Sequence, residues 1–287
     1  MSPAARVATG LPANPLAGRG LRLAAAAIVV VNGFFPAVWI LLTSLKTETE
    51  LVRKPITYWP RNLTLDNYVR AFTDQPLLRF LGNSLAVALA STALSLVVAA
   101  LAAYAIARLN LRRRQLILTA IVASSMFPLV TLLVPIFETM RALNLLNTYT
   151  ALVLPYTVLN LPVCTLVLAS FFEGIPRDLE HAAMIDGCTR VGALWRVVVP
   201  LAAPGVFTAG ILAFVNAWDE FLLALSLNAN ASMRTLPVGI TLYQGEFTFP
   251  WPTISAALVV AIVPIAVLIA LFQERVVGGL TQGGMKG

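Results

Sequence analysis

Histidine occurs once in the 287 residues, at His181, and cysteine twice, at Cys164 and Cys188. A single histidine excludes the H-E-x-x-H helix of zinc proteases. Two cysteines so placed make neither a disulfide framework nor a metal site. The chain has no G-x-x-x-x-G-K-[ST] phosphate loop and no dinucleotide fingerprint among its glycines, so it is not expected to hydrolyse ATP itself. Charge is scarce too: only 11% of residues are charged, too few for the hydrated surface of a soluble domain. The net charge of +7 would suggest nucleic acid in a soluble protein, but here it lies in loops between apolar runs, and no nucleic-acid partner is expected.

Apolar residues are abundant instead. They make up 59% of the chain, with a mean hydropathy of +0.83. Runs of roughly 20 such residues are the length of a membrane crossing. The first, of about 23 residues after Arg19 and Arg22, is too long for a signal-peptide core and reads as an uncleaved span. The pattern predicts an all-α polytopic membrane protein with six transmembrane helices, near residues 23–45, 81–107, 116–140, 149–172, 198–227 and 252–272. Residues 1–20 read as a cytoplasmic tail, residues 21–272 as the transmembrane domain, and residues 273–287 as a flexible glycine-rich cytoplasmic tail. Six spans put both termini on one side. With the termini inside, twelve of the twenty Lys and Arg fall in inner segments, while the two short outer loops hold only Arg141 and Arg234. Basic loops stay cytoplasmic, so both termini are expected there.

Between the fourth and fifth spans lies a polar, basic stretch, residues 176–204. Pro176 suits a first helical turn, and Asp178 and Glu180 complement the helix dipole. Gly187 offers a stop, and a second helix can run from Thr189 towards Val198. Such a helix pair is either a solvated connection or a docking surface for a soluble partner. Inside the spans, Pro128, Pro135, Pro155 and Pro162 invite kinks, either for packing or along a wet pathway. Asn160 and the run Asn216, Trp218, Asp219 and Glu220 form a polar lining of a pathway or an interfacial group. Tyr243, Gln244 and Phe247, in the last outer loop, are sugar-facing residues or interface anchors.

The 176–204 stretch resembles the EAA loop of permeases of ATP-binding-cassette (ABC) importers: E-A-A, three residues, G, nine residues, then I-x-L-P. Ala182, Ala183 and Gly187 match, and Val197, Val199 and Pro200 fit the end. His181 stands where the motif has glutamate, with Glu180 one residue earlier, and Asp186 fits the sugar-importer branch. Further matches are Asn83-Ser84-Leu85, Ala102 to Arg108, Met126-Phe127-Pro128, Asn147-Thr148-Tyr149, the W-N-E-F-L-like run at Trp218, Thr235 to Gly239, and the glycine-rich end. Asn144 replaces a common glycine. Over almost everything beyond residue 20, the chain resembles a carbohydrate ABC importer permease subunit of the MalG type.

That resemblance implies a coupling role for Glu180, His181, Ala182, Ala183, Asp186 and Gly187. It also implies a second permease subunit, two ATPase subunits that bind ATP and Mg, an extracytoplasmic sugar-binding protein, and a location in the cytoplasmic membrane lipid. The solute implied is a disaccharide or oligosaccharide such as those of the trehalose or maltose class. No cofactor, metal or catalytic residue is expected in this chain. The alternatives are an ion-coupled secondary transporter, which needs a central intramembrane ionisable group, and an intramembrane enzyme, which needs facing catalytic pairs.

Overall fold

The computed structural model describes residues 15–284 except 110, 246 and 247. Every regular element among them is helical. In chain order these are α1 (Pro15–Ser44), α2 (Glu48–Leu51), α3 (Asp66–Thr73), α4 (Leu77–Arg108), α5 (Arg114–Ser125), α6 (Leu129–Ala142), α7 (Thr150–Glu173), α8 (Arg177–Ile185) and α9 (Arg190–Ala193). A π-turn over Leu194–Val198 leads to α10 (Val199–Leu201), then α11 (Ala203–Asp219), α12 (Leu222–Leu227), a 3-10 turn over Ala231–Met233, α13 (Leu236–Thr241) and α14 (Trp251–Gly284).

Four helices are long and apolar enough to cross a membrane unaided, in α1, α4, α7 and α14. The count reaches six if each of two bent pairs is one span: α5 with α6, at 89°, and Arg190–Leu201 with Ala203–Asp219, at 85°. Proline makes both breaks. Pro128 sits extended at the start of α6, and Pro204 occupies the first turn of α11. Each lacks an N–H, so it can begin a helix but not continue one without loss. Pro135, Pro155 and Pro162, also expected as kinks, lie inside unbroken helices. Helix α7 packs against α4 and α11 and remains one element despite its two prolines.

Three boundaries depart from expectation. Residues 15–20 are already helical, as the first turns of α1, and residues 1–14 lie outside the described chain. The fifth span ends at Asp219, not Leu227, because Glu220 turns extended and starts α12. The flexible tail expected from residue 273 is helix as far as Gly284, with residues 285–287 outside the described chain. Each glycine costs a helix about 1 kcal/mol relative to alanine, but extending a formed helix adds a hydrogen bond per residue.

The core is a packed trio of α4, α7 and α11, with α14 joining α11 to α1. Lipid is as apolar as these side chains, so close approach and polar contacts must hold the helices together. Helix α4 therefore buries a small-residue face: Ala88, Ser91, Ser95, Ala99 and Ala103. The Ser95 hydroxyl donates to Thr157 O of α7 at 3.3 Å, and to Ser91 O within α4 at 2.7 Å. Gly205 of α11 lets the Phe171 ring of α7 approach so closely that a Cβ there would sit 2.3 Å from it.

The outer connections are stitched to this trio. The Asn83 amide donates to Ser232 O and Arg234 O at 2.9 Å each, and Tyr149 donates to its carbonyl oxygen at 2.8 Å. Leu236 N–H donates to the Ser84 hydroxyl at 2.8 Å. Asn144 and Asn147 hold φ of 55° and 60°, the left-handed region that asparagine tolerates better than most residues. That conformation accounts for asparagine at 144 where glycine is common.

Candidate functional site

Two polar constellations stand out, one at each end of the helix trio. The first is α8 and its surroundings. Asp186, Gly187 and Cys188 close α8 with a left-handed turn. Gly187 has φ of 92°, its N–H donates to Met184 O at 3.1 Å, and Cys188 N–H donates to Ala183 O at 2.9 Å. Only glycine adopts that φ without strain, which fixes why it stands there. Thr189 then opens α9, its hydroxyl accepting from Gly192 N–H at 3.1 Å.

The two faces of α8 differ sharply. Glu180 is 6% exposed. Tyr104 of α4 donates its hydroxyl to one Glu180 oxygen. Arg108 places Nε 3.1 Å from the other, as an ion pair rather than an aligned hydrogen bond. The same guanidinium donates to Ile175 O at 2.9 Å, and Arg177 donates to Ala107 O at 3.4 Å. So α8 is clamped to the end of α4. His181, Ala182, Asp186 and Gly187 lie on the exposed side, with Ala183 half-buried. Ile185, at 85% exposed, and Leu179 give that side an apolar character. Consecutive helical residues differ by roughly 100° in direction, so Glu180 and His181 cannot do the same work. Glu180 is committed to its own chain, and His181 is the one presented outward.

The second constellation is a cavity of about 280 Å³ between α6, α7 and α11, lined by Tyr156, Asn160, Asn216 and Glu220, with Leu129 and Leu159 as apolar walls. Tyr156 and Asn160 are four apart and share a face of α7. The Tyr156 hydroxyl donates to Glu220 Oε2 at 2.5 Å. Leu223 N–H donates to Oε1 at 2.8 Å and Ala224 N–H to Oε2 at 3.1 Å, so Glu220 caps α12. Asn216 donates to Asn160 Oδ1 at 3.2 Å, and Asn160 donates to Ala213 O at 3.3 Å. Trp218 is not among the lining residues. It is buried and stacked on Phe214, ring centroids 5.6 Å apart. Asp219 is exposed at the end of α11.

The outer-loop residues divide similarly. Tyr243 is buried, its hydroxyl donating to Ala71 O. Burial and the nearby Asp74 carboxylate push that hydroxyl up to about 12. Its ring is thus committed to the chain's own packing rather than presented to solute. Gln244 is exposed, and Phe247 lies outside the described residues.

A family model, "Binding-protein-dependent transport system inner membrane component", matches residues 95–282. The chain belongs to this family. Among its relatives is the sulfoquinovosyl glycerol transport system permease protein SmoH of Agrobacterium fabrum, 73% identical over 270 residues, covering 94% of this chain and 95% of that one. The trehalose transport system permease protein SugB of Mycobacterium tuberculosis is 42% identical, covering 91% and 95%. The fold matches a chain of a bacterial ABC transporter that imports the acidic polysaccharide alginate, with a TM-score of 0.79 at 20% identity, covering 93% of this chain and 99% of that chain. A permease of this family is an inner-membrane component served by an ATPase and a binding protein. It is not itself an enzyme, and the ion-coupled alternative falls with it.

Sequence reasoning missed Tyr104, Arg108 and Tyr156. Tyr104 lies 76 residues from Glu180, and no local pattern announces that pairing. Tyr156 had a usable signal in its four-residue spacing to Asn160 within an apolar helix.

Proposed function

We propose that this permease imports a sulfoquinovosyl glycerol-like sugar by alternating access, with α8 as the element that the ATPase grips. The observation that carries the coupling role is the two-sided character of α8. Its inner face is pinned to α4 by Glu180, Arg108 and Tyr104, while its outer face offers small and apolar residues beside Gly187. A pull on the outer face therefore moves α4, and with it the α4–α7–α11 trio, as one body. Ala182 and Ala183 let an ATPase cleft close tightly around the helix. Gly187 sets the turn that aims it, and His181 and Asp186 supply its polar contacts.

The full assembly comprises this chain, a second permease, two ATPase subunits and an external sugar-binding protein. ATP and Mg bind the ATPase subunits. Both termini face the cytoplasm, in keeping with the basic inner loops. The sugar class rests on the 73% identical relative, whose name specifies sulfoquinovosyl glycerol.

The test is uptake into proteoliposomes holding the whole complex. ATP-dependent accumulation of sulfoquinovosyl glycerol, with trehalose failing to compete, is expected. Trehalose uptake without sulfoquinovosyl glycerol uptake contradicts the sugar class. Uptake of either sugar that needs no ATPase subunit contradicts the coupling role.

A further inference from the structure

We infer that the cavity between α6, α7 and α11 is a hydroxyl-reading subsite within this subunit, which holds the neutral, polyol part of the passing solute and turns away its anionic end. This rests on the import reading above. The volume sets the scale: about 280 Å³ is just under the range where whole-ligand sites begin, roughly 300 Å³. It accommodates a glyceryl group or about one sugar ring.

The chemistry of the lining selects which part. Glu220 accepts from Tyr156, Leu223 and Ala224, so its hydrogen-bonding capacity is largely committed while its negative charge remains. None of the lining side chains is cationic. A sulfonate entering here meets a carboxylate, and that juxtaposition of like charges is unfavourable. The amides behave differently. Asn216 donates one N–H to Asn160, and Asn160 donates one to Ala213 O. Each retains a second amide hydrogen, and the Asn216 carbonyl oxygen also accepts. A donor and an acceptor side by side against Leu129 and Leu159 match a hydroxyl on an aliphatic carbon, which both gives and takes a hydrogen bond.

The test uses the reconstituted complex carrying Cys188→Ser, with the buried Cys164 retained and labelling read on this chain by mass spectrometry. Asn216→Cys is treated with a neutral hydroxyethyl methanethiosulfonate and with its sulfonatoethyl counterpart, each rate divided by that reagent's rate with free cysteine. The neutral reagent is expected to react about tenfold faster, and excess glycerol to slow it. A ratio near one, or no effect of glycerol, overturns the inference. A second arm compares Asn216→Leu and Asn216→Gln. Uptake of whichever sugar the wild-type complex carries is expected to fall about tenfold in the leucine variant and to recover partly in the glutamine variant, with ATPase stimulation by the loaded binding protein retained. Unchanged uptake in the leucine variant overturns the inference. Failure of the wild-type complex to carry sulfoquinovosyl glycerol contradicts only the sugar class, because the labelling arm reads charge and polyol selectivity without that sugar.

Discussion

Single positions in this chain are fixed by distance of approach and by charge. At Gly239 a Cβ would lie 2.1 Å from the buried Phe80 ring, closer than real contacts allow. Gly239→Ala is therefore expected to destabilise the outer half by about 1–3 kcal/mol, as forced overpacking does, read as a lower midpoint in thermal unfolding of the purified complex. Glu50 shows the other kind of constraint. The Arg61 backbone N–H at 2.9 Å, outweighing burial and joined by the Thr57 hydroxyl at 2.8 Å, holds its carboxyl below the usual carboxylate range. A depressed carboxylate contributes stability above its unfolded value, about 4.3, and loses it as pH falls through the lower folded value. Hydrogen-exchange protection in residues 46–76, taken relative to the intrinsic rate at each pH, is expected to fall below about pH 4 in the wild type. In Glu50→Gln that protection is expected to be lower at neutral pH and nearly flat across the same window.

At the scale of the helices, the proposed coupling role rests on the clamp between α4 and α8. Glu180→Ala strands Arg108 as a buried, unpaired charge, and removing one partner of such a pair costs about 3–5 kcal/mol. The folded fraction of that variant is expected to hydrolyse ATP without matching uptake, because α8 no longer drags α4. Glu180→Ala with Arg108→Met is expected to recover stability but not coupling. Recovery of both would mean that the clamp serves folding alone. How much of these elements the sequence reveals depends on how local their causes are. The turn at Gly187 and the break at Pro128 follow from residues on the spot, and both are legible. Pro155 and Pro162 look equally disruptive on paper, yet α7 stays whole because α4 and α11 enclose it. Glu180 and His181 are adjacent in the motif, and only the distant Tyr104 and Arg108 show which one turns inward. Trp218 and Tyr243 read as surface aromatics and are buried, since a ring that anchors at an interface and a ring that packs have the same composition signal.

For the molecule as a whole, α1 is the least self-sufficient part. Its apolar residues from Val29 to Phe35 remain exposed, and among its described residues only Thr43 and Ser44, at its end, are buried by this chain. Lipid and the second permease are expected to cover it, so expression without that partner is expected to lower the yield of folded chain severalfold, measured by size-exclusion profile in detergent. On the function proposed here, the charge asymmetry, the bent spans and the clamped α8 belong to one machine, gripped from the cytoplasm and opening outward. The most direct test of that claim is cross-linking in the assembled complex. Ala182→Cys on the exposed side of α8 is joined to the ATPase by a short bifunctional maleimide, in a Cys188→Ser background, with Leu89→Cys on the exposed side of α4 as control. An adduct with the ATPase from position 182 and none from position 89 is the expected result. No adduct from position 182, or an adduct from it to the external binding protein, would contradict the account.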